Sequence, residues 1–193
     1  MIETNTSESK SVHAFTLDAS GNVYIAGSSM NVVDFDPGSP VYNLGESGVS
    51  YNYLVKLDNN GDFVWAINEA GSYTRDIKID SAGNVFTTGH FSETEDLDAG
   101  DGTTLVTSNG AEDIFIKKLD SDGNFIWGKT IGGTEEDNAV QLSIDNSDNI
   151  ILTGYFNDTI DLDPSAGVSS HTSIESSPDL FVEKLSLDSN SPP

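Results

Sequence analysis

Apolar positions come in short runs along this chain, alternating with polar ones and interrupted by Gly, Asn and Asp. One stretch is written out twice. It reads Tyr53-Leu-Val-Lys-Leu-Asp-Asn-Asn-Gly-Asp-Phe-Val-Trp65, then Ile114-Phe-Ile-Lys-Lys-Leu-Asp-Ser-Asp-Gly-Asn-Phe-Ile-Trp127. A third copy starts at Leu180-Phe-Val-Glu-Lys-Leu185 and stops before a Trp. Two apolar runs around an Asp-x-x-Gly turn predict a β-hairpin.

A second hairpin repeats beside the first. Residues 12–18 and Val23–Gly27 flank the turn Ala19-Ser-Gly-Asn22, and the pattern returns over Arg75–Gly89 and Val140–Gly154. Gly27, Gly89 and Gly154 are equivalent, and Asp34, Asp96 and Asp161 keep the same spacings of 62 and 65 residues. Two hairpins per unit, joined by a longer polar segment ending at the Lys-Leu strand, give four strands per repeat. Long helix-period stretches are absent. The expected fold is therefore all-β, with β-propeller blades of four antiparallel strands. About three tandem repeats, near residues 11–73, 74–137 and 138–188, make a partial propeller or arc in one domain. A sandwich of unrelated strands gives no reason for a fixed repeat.

The third unit runs short. Its tail, Ser186–Pro193, replaces the second half of a hairpin, and the register places Met1-Ile-Glu3 where Phe63-Val-Trp65 lies. The N-terminus is thus a candidate outer strand for the third blade. Three blades fall below the four to eight that usually close a ring, so further blades or self-association are expected to cover the open edges.

Charge narrows the partners. Lys and Arg number 8 against 32 Asp and Glu, a net charge of −24. Such a surface repels nucleic acid and anionic lipid, and attracts divalent cations and basic partners. Without Cys there is neither a disulfide framework nor a thiolate site. No apolar run approaches the roughly 20 residues that cross a bilayer, so membrane insertion is not expected. The first ten residues lack the pattern of a secretory signal.

The segment between hairpins carries the sharpest candidate chemistry. It contains Val33-Asp-Phe-Asp-Pro-Gly38, Glu95-Asp-Leu-Asp-Ala-Gly100-Asp-Gly102 and Ile160-Asp-Leu-Asp-Pro-Ser165. In an extended chain Asp34/Asp36, Asp96/Asp98 and Asp161/Asp163 present paired carboxylates, while Phe35, Leu97 and Leu162 face the blade. With Asp101 and backbone oxygens, these pairs are candidate Ca2+ ligands. Plain turns, with Asp accepting backbone N–H groups, are the alternative. The Asp-x-x-Gly turns, and Asp145–Asn149 with Asp148 in place of Gly, read as structural because they lack an EF-type loop's downstream Glu.

Lys56, Lys118 and Lys184 recur and are expected to pair with a repeated Asp or to reach the surface. Trp65 and Trp127 are expected between blades, with stacking on a sugar as the alternative. His13, His90 and His171 occupy different repeat positions and suggest no zinc site. Neither a nucleophile elbow nor a phosphate loop is present.

The ordered motifs Asp-x-x-Gly-Asn-Val-Tyr-x-x-Gly, Val-Asp-Phe-Asp-Pro-Gly and Lys-Leu-Asp-x-x-Gly-x-Phe-x-Trp resemble the SBBP-type bacterial β-propeller repeat over about residues 11–185. The chain departs from that pattern at Asp148, at Ser165 and in the missing last Trp strand. The resemblance implies an extracellular or cell-surface protein whose repeats form a scaffold, with no common catalytic residues. The expected function is non-enzymatic binding of protein or glycan, possible calcium stabilisation included. A carbohydrate-active enzyme using acids on one propeller face, and a purely structural spacer, are the alternatives.

Overall fold

The computed structural model describes residues 10–36, 38, 41–69, 71–174 and 177–186. Every regular element among them is a strand. The first blade contains β1 (Lys10–Leu17), β2 (Val23–Ser29), β3 (Val33–Asp34), β4 (Asn43–Leu44), β5 (Tyr51–Leu57) and β6 (Phe63–Asn68). Its sheet runs β1-β2-β5-β6, all antiparallel, with β3 and β4 as a separate two-stranded ladder. The second blade repeats this with β7 (Tyr73–Ile79), β8 (Val85–Phe91), β9 (Thr94–Asp96), β10 (Leu105–Thr107), β11 (Asp113–Leu119) and β12 (Phe125–Gly133). The third has β13 (Asp137–Ile144), β14 (Ile150–Phe156), β15 (Thr159–Asp161), β16 (Ser170–Thr172) and β17 (Asp179–Leu185). Its main sheet, β13-β14-β17, has three strands among the described residues.

The first strands of the blades are neighbours. β1 lies along β7, and β13 lies against both β7 and β8, so three blades stand side by side as an arc. Apolar clusters fill the two junctions. Tyr24 and Leu54 of the first blade meet Ile77, Val85 and Leu119 of the second. Ile114, Ile116 and Trp127 of the second meet Leu142, Ile150, Leu152 and Leu185 of the third. β12 also pairs Gly132 and Gly133 with Asp161 and Ile160, tying the second blade's outer strand to the third blade's small hairpin.

Two expectations need correction. The polar joining segments are themselves hairpins (β3–β4, β9–β10 and β15–β16), because their Asp pairs fold the chain back on itself. The first hairpin of each unit also does not end at its Gly. β2, β8 and β14 continue two residues further, and the Gly lies inside the strand opposite a bulge. The bulge drives a carbonyl of the first strand towards the Gly. A Cβ on Gly27, Gly89 or Gly154 would lie 2.2, 1.9 or 2.1 Å from the oxygen of Ser11, Tyr73 or Asn138. Close backbone approach explains the repeated Gly.

The turns behave as expected. Asp18, Asp58, Asp80, Asp120 and Asp145 each accept N–H groups from the residues two and four positions on. Gly21, Gly61, Gly83 and Gly123 hold φ between 82° and 87°, and Asp148 holds φ of 57° in the equivalent place. Asp148 also accepts hydrogen bonds from Ser81 N and Oγ in the second blade. The expected roles of the Met1–Glu3 strand and of the tail fall outside the described residues, apart from Ser186.

Candidate ligand-binding face

The three Asp-x-Asp segments have one geometry. Asp34 Oδ1 accepts Asp36 N at 3.1 Å and Tyr42 N at 2.9 Å. Asp96 Oδ1 does the same with Asp98 N and Thr104 N, and Asp161 Oδ1 with Asp163 N and Ser169 N. Asp36, Asp98 and Asp163 accept, at 2.8 Å, the N–H two residues on. Hydrogen bonds from the Ser165 hydroxyl and N–H hold the Asp163 carboxyl below its ordinary range. Phe35, Leu97 and Leu162 are buried beneath, as the alternation predicts. Asp101 is exposed in its loop. Among the described residues no three His, Asp or Glu side chains gather into a metal-holding group.

The repeated lysines divide. Lys118 pairs with Asp80 at 3.4 Å and Lys184 with Asp145 at 2.6 Å, so the Asp that shapes each first turn also meets the Lys. Lys56 instead donates to Ser121 O in the next blade, at 2.8 Å, and Trp65 Nε1 donates to the same carbonyl at 3.2 Å. Trp127 is buried in the junction with the third blade.

A different set of residues assembles where the blades cease to match. The bulge residue of each first strand is His13, Arg75 or Val140. Two residues earlier stand Ser11, Tyr73 and Asn138, and late in the second strands stand Ser28, His90 and Tyr155. These positions carry different chemistry in every blade, and the loops beside them add Glu112 and Glu136. They flank the bulges, early in the first strands and late in the second.

The geometry is close. Tyr73 stacks with His13 at 4.2 Å and with His90 at 5.0 Å between ring centroids, and the Arg75 guanidinium carbon lies 4.7 Å from the Tyr73 ring centre. Burial lowers the pKa of His13. Thr74 O can only accept, so His13 Nδ1 donates to it at 3.2 Å, and His13 Nε2 lies 3.2 Å from Ser28 Oγ. Burial also lowers His90, although Glu112 opposes this from 3.7 Å.

Asn138 Nδ2 donates to Glu112 Oε2 at 3.2 Å and to Glu136 Oε1 at 3.3 Å, and Tyr155 donates to Glu136 Oε1 at 3.5 Å. Buried Asn138 Oδ1 and His90 Nδ1 have no hydrogen-bond partner among the described residues. The face thus offers stacked rings, one guanidinium and two carboxylates, over an Asn138 amide that is buried beneath them.

Two further buried acidic features escaped the sequence reading. Glu69, just after β6, forms an ion pair at 2.7 Å with Lys117 of β11, and both side chains are almost wholly buried. Asp113 and Asp137 are buried beside the Gly132-Gly133 segment. Burial pushes the Asp137 carboxyl up to about 6, and the charges of Asp113 and Glu135 add to the rise. It accepts hydrogen bonds from Gly133 N and Asn157 N.

Fold and repeat together define a β-propeller repeat protein. No family model matches the chain. An uncharacterized WD repeat-containing protein of Acanthamoeba polyphaga mimivirus is 29% identical over 121 residues. That match covers 60% of this chain and 9% of the viral protein, so the chain spans only a small part of its relative's length.

Proposed function

We propose that this chain is a non-enzymatic binding scaffold that takes a protein segment on the face around Tyr73, Arg75, His90, Glu112 and Glu136. The observation that carries the reading is the collection, at one end of the first strands, of side chains that differ between otherwise repeated blades. Residues needed to build a blade recur in every blade. Residues that recur nowhere, yet converge, are the ones free to meet a partner. Their mixed donors, acceptors and ring faces suit a peptide with polar and basic side chains, and the net charge of −24 favours basic partners.

The resemblance to SBBP-type repeats supports an exported or surface-displayed protein. Panning a phage-displayed peptide library on the folded chain tests the reading. Enriched peptides should lose binding to Arg75→Ala and Glu136→Gln and keep it to Lys184→Ala, which lies on another blade edge. Peptides unaffected by the first two changes would place recognition elsewhere. A glycan array run in parallel decides between peptide and sugar.

One observation favours a hydrolytic reading: Glu112 and Glu136 are unrepeated acids tethered to one amide. An asymmetric acid pair is what glycoside hydrolysis requires. Turnover of chromogenic aryl glycosides, abolished by either Glu→Gln change, would replace the scaffold reading with an enzyme.

A further inference from the structure

The two ends of the arc expose the same residue positions that the internal junctions bury. Phe15 on the first blade is 70% exposed, whereas its equivalents Ile77 and Leu142 are 0% and 2% exposed. Those two pack against the preceding blade in each junction. At the other end Val182 is 73% exposed, while its equivalents Ile116 and Leu54 are fully buried against the following blade. Leu17 and Leu180 extend the two exposed faces. The leading face of the first blade and the trailing face of the third are therefore the two halves of an interface that the chain itself builds twice.

We propose that a second copy of this chain seats its first blade on the third blade of the first copy, head to tail. The occupant is defined by the internal junctions: a Phe15-type face has its complement in a Val182-type face. Two such contacts would join six blades, a number within the range of closed propellers. The contact is heterologous, leading face to trailing face, and a ring leaves neither face free.

Light scattering coupled to size-exclusion chromatography tests the proposal over a concentration series at moderate salt. The expected mass is twice the 20.6 kDa of one chain. Phe15→Asp and Val182→Asp, both at exposed positions, should each give a folded monomer by circular dichroism. An equimolar mixture of the two variants should recover a dimer, because one unaltered leading face then meets one unaltered trailing face. A monomeric parent at every concentration overturns the proposal. So does a dimer that survives both single changes, or a mixture that stays monomeric where the parent pairs.

Discussion

Glu69 and Lys117 form an ion pair with almost no solvent contact, joining the end of the first blade's outer strand to the third strand of the second blade. Thr74 Oγ1 donates to the other Glu69 oxygen, so both carboxylate oxygens are engaged. The next junction does not repeat the pair: there the counterparts of Glu69 and Lys117 are Ile131 and Glu183. Charge burial is costly, and what holds the pair is mutual satisfaction. Lys117→Met should therefore cost about 3–5 kcal/mol by leaving Glu69 buried and unpaired. The double change Glu69→Leu with Lys117→Met should recover much of that loss. Urea unfolding of the single and double variants reads both numbers, and a double variant no better than the single would show that the site tolerates no apolar replacement.

Gly89 offers a sharper contrast. Alanine there places Cβ against Tyr73 O, a backbone atom that can move only by undoing the bulge. Alanine at Gly61 meets open space and suffers only from its positive φ of 87°. Gly61→Ala should cost about 1–2 kcal/mol. Gly89→Ala should cost more, about 3 kcal/mol or above, because overpacking against rigid backbone is involved. Midpoints of chemical denaturation for the two variants test the order, and equal losses would remove the steric account of the repeated Gly.

Blade architecture was legible because blade-building residues must recur. Asp18-type turns and Gly27-type close approaches each solve a local problem that every blade poses again, and Lys-Trp strand pairs do so in the first two. The candidate face was not legible by that logic, since comparing equivalent positions for sameness passes over His13, Arg75 and Val140. Asking which equivalent positions differ would have found them. Lys117 stayed hidden for another reason. It sits beside the repeated Lys118, and only packing reveals that its partner comes from another blade. The joining hairpins were missed because strands of two or three residues are too short to show alternation.

The Asp-x-Asp loops bear on calcium directly. Oδ1 of each of the six paired Asp accepts at least one backbone N–H, and the turns close on those bonds. The expected result is a thermal midpoint that is the same in EDTA, calcium and magnesium. Asp96→Ala, which strands Asp98 N and Thr104 N, should cost about 1–3 kcal/mol with no metal involved. A midpoint that rises with calcium but not magnesium would instead make Asp34, Asp36 and their counterparts ligands. Saturation at a hundred times the dissociation constant would then add about 2.7 kcal/mol per site.

Asp137 predicts a pH dependence of definite sign. Its carboxyl has an ordinary pKa of 3.8 and is pushed up to about 6 in the folded chain by burial, with Asp113 and Glu135 contributing. Between those values the folded state holds a proton that the unfolded state has lost. The stability this residue contributes is therefore present at low pH and lost as pH rises through 6. At 1.36 kcal/mol per pKa unit, the loss amounts to about 3 kcal/mol. His13 and His90, lowered by burial, act in the opposite sense, since acid must charge them in place. A comparison with Asp137→Asn cancels their part. The stability difference between pH 8 and pH 4 should shift by about 2.4 kcal/mol between the two proteins, since at pH 4 the unfolded carboxyl is only partly protonated, with the Asp137 chain gaining more on acidification. The same pH dependence of the unfolding free energy in the two proteins would mean that Asp137 ionises in the folded state at no cost, and that the Gly133 and Asn157 N–H groups alone compensate for its burial.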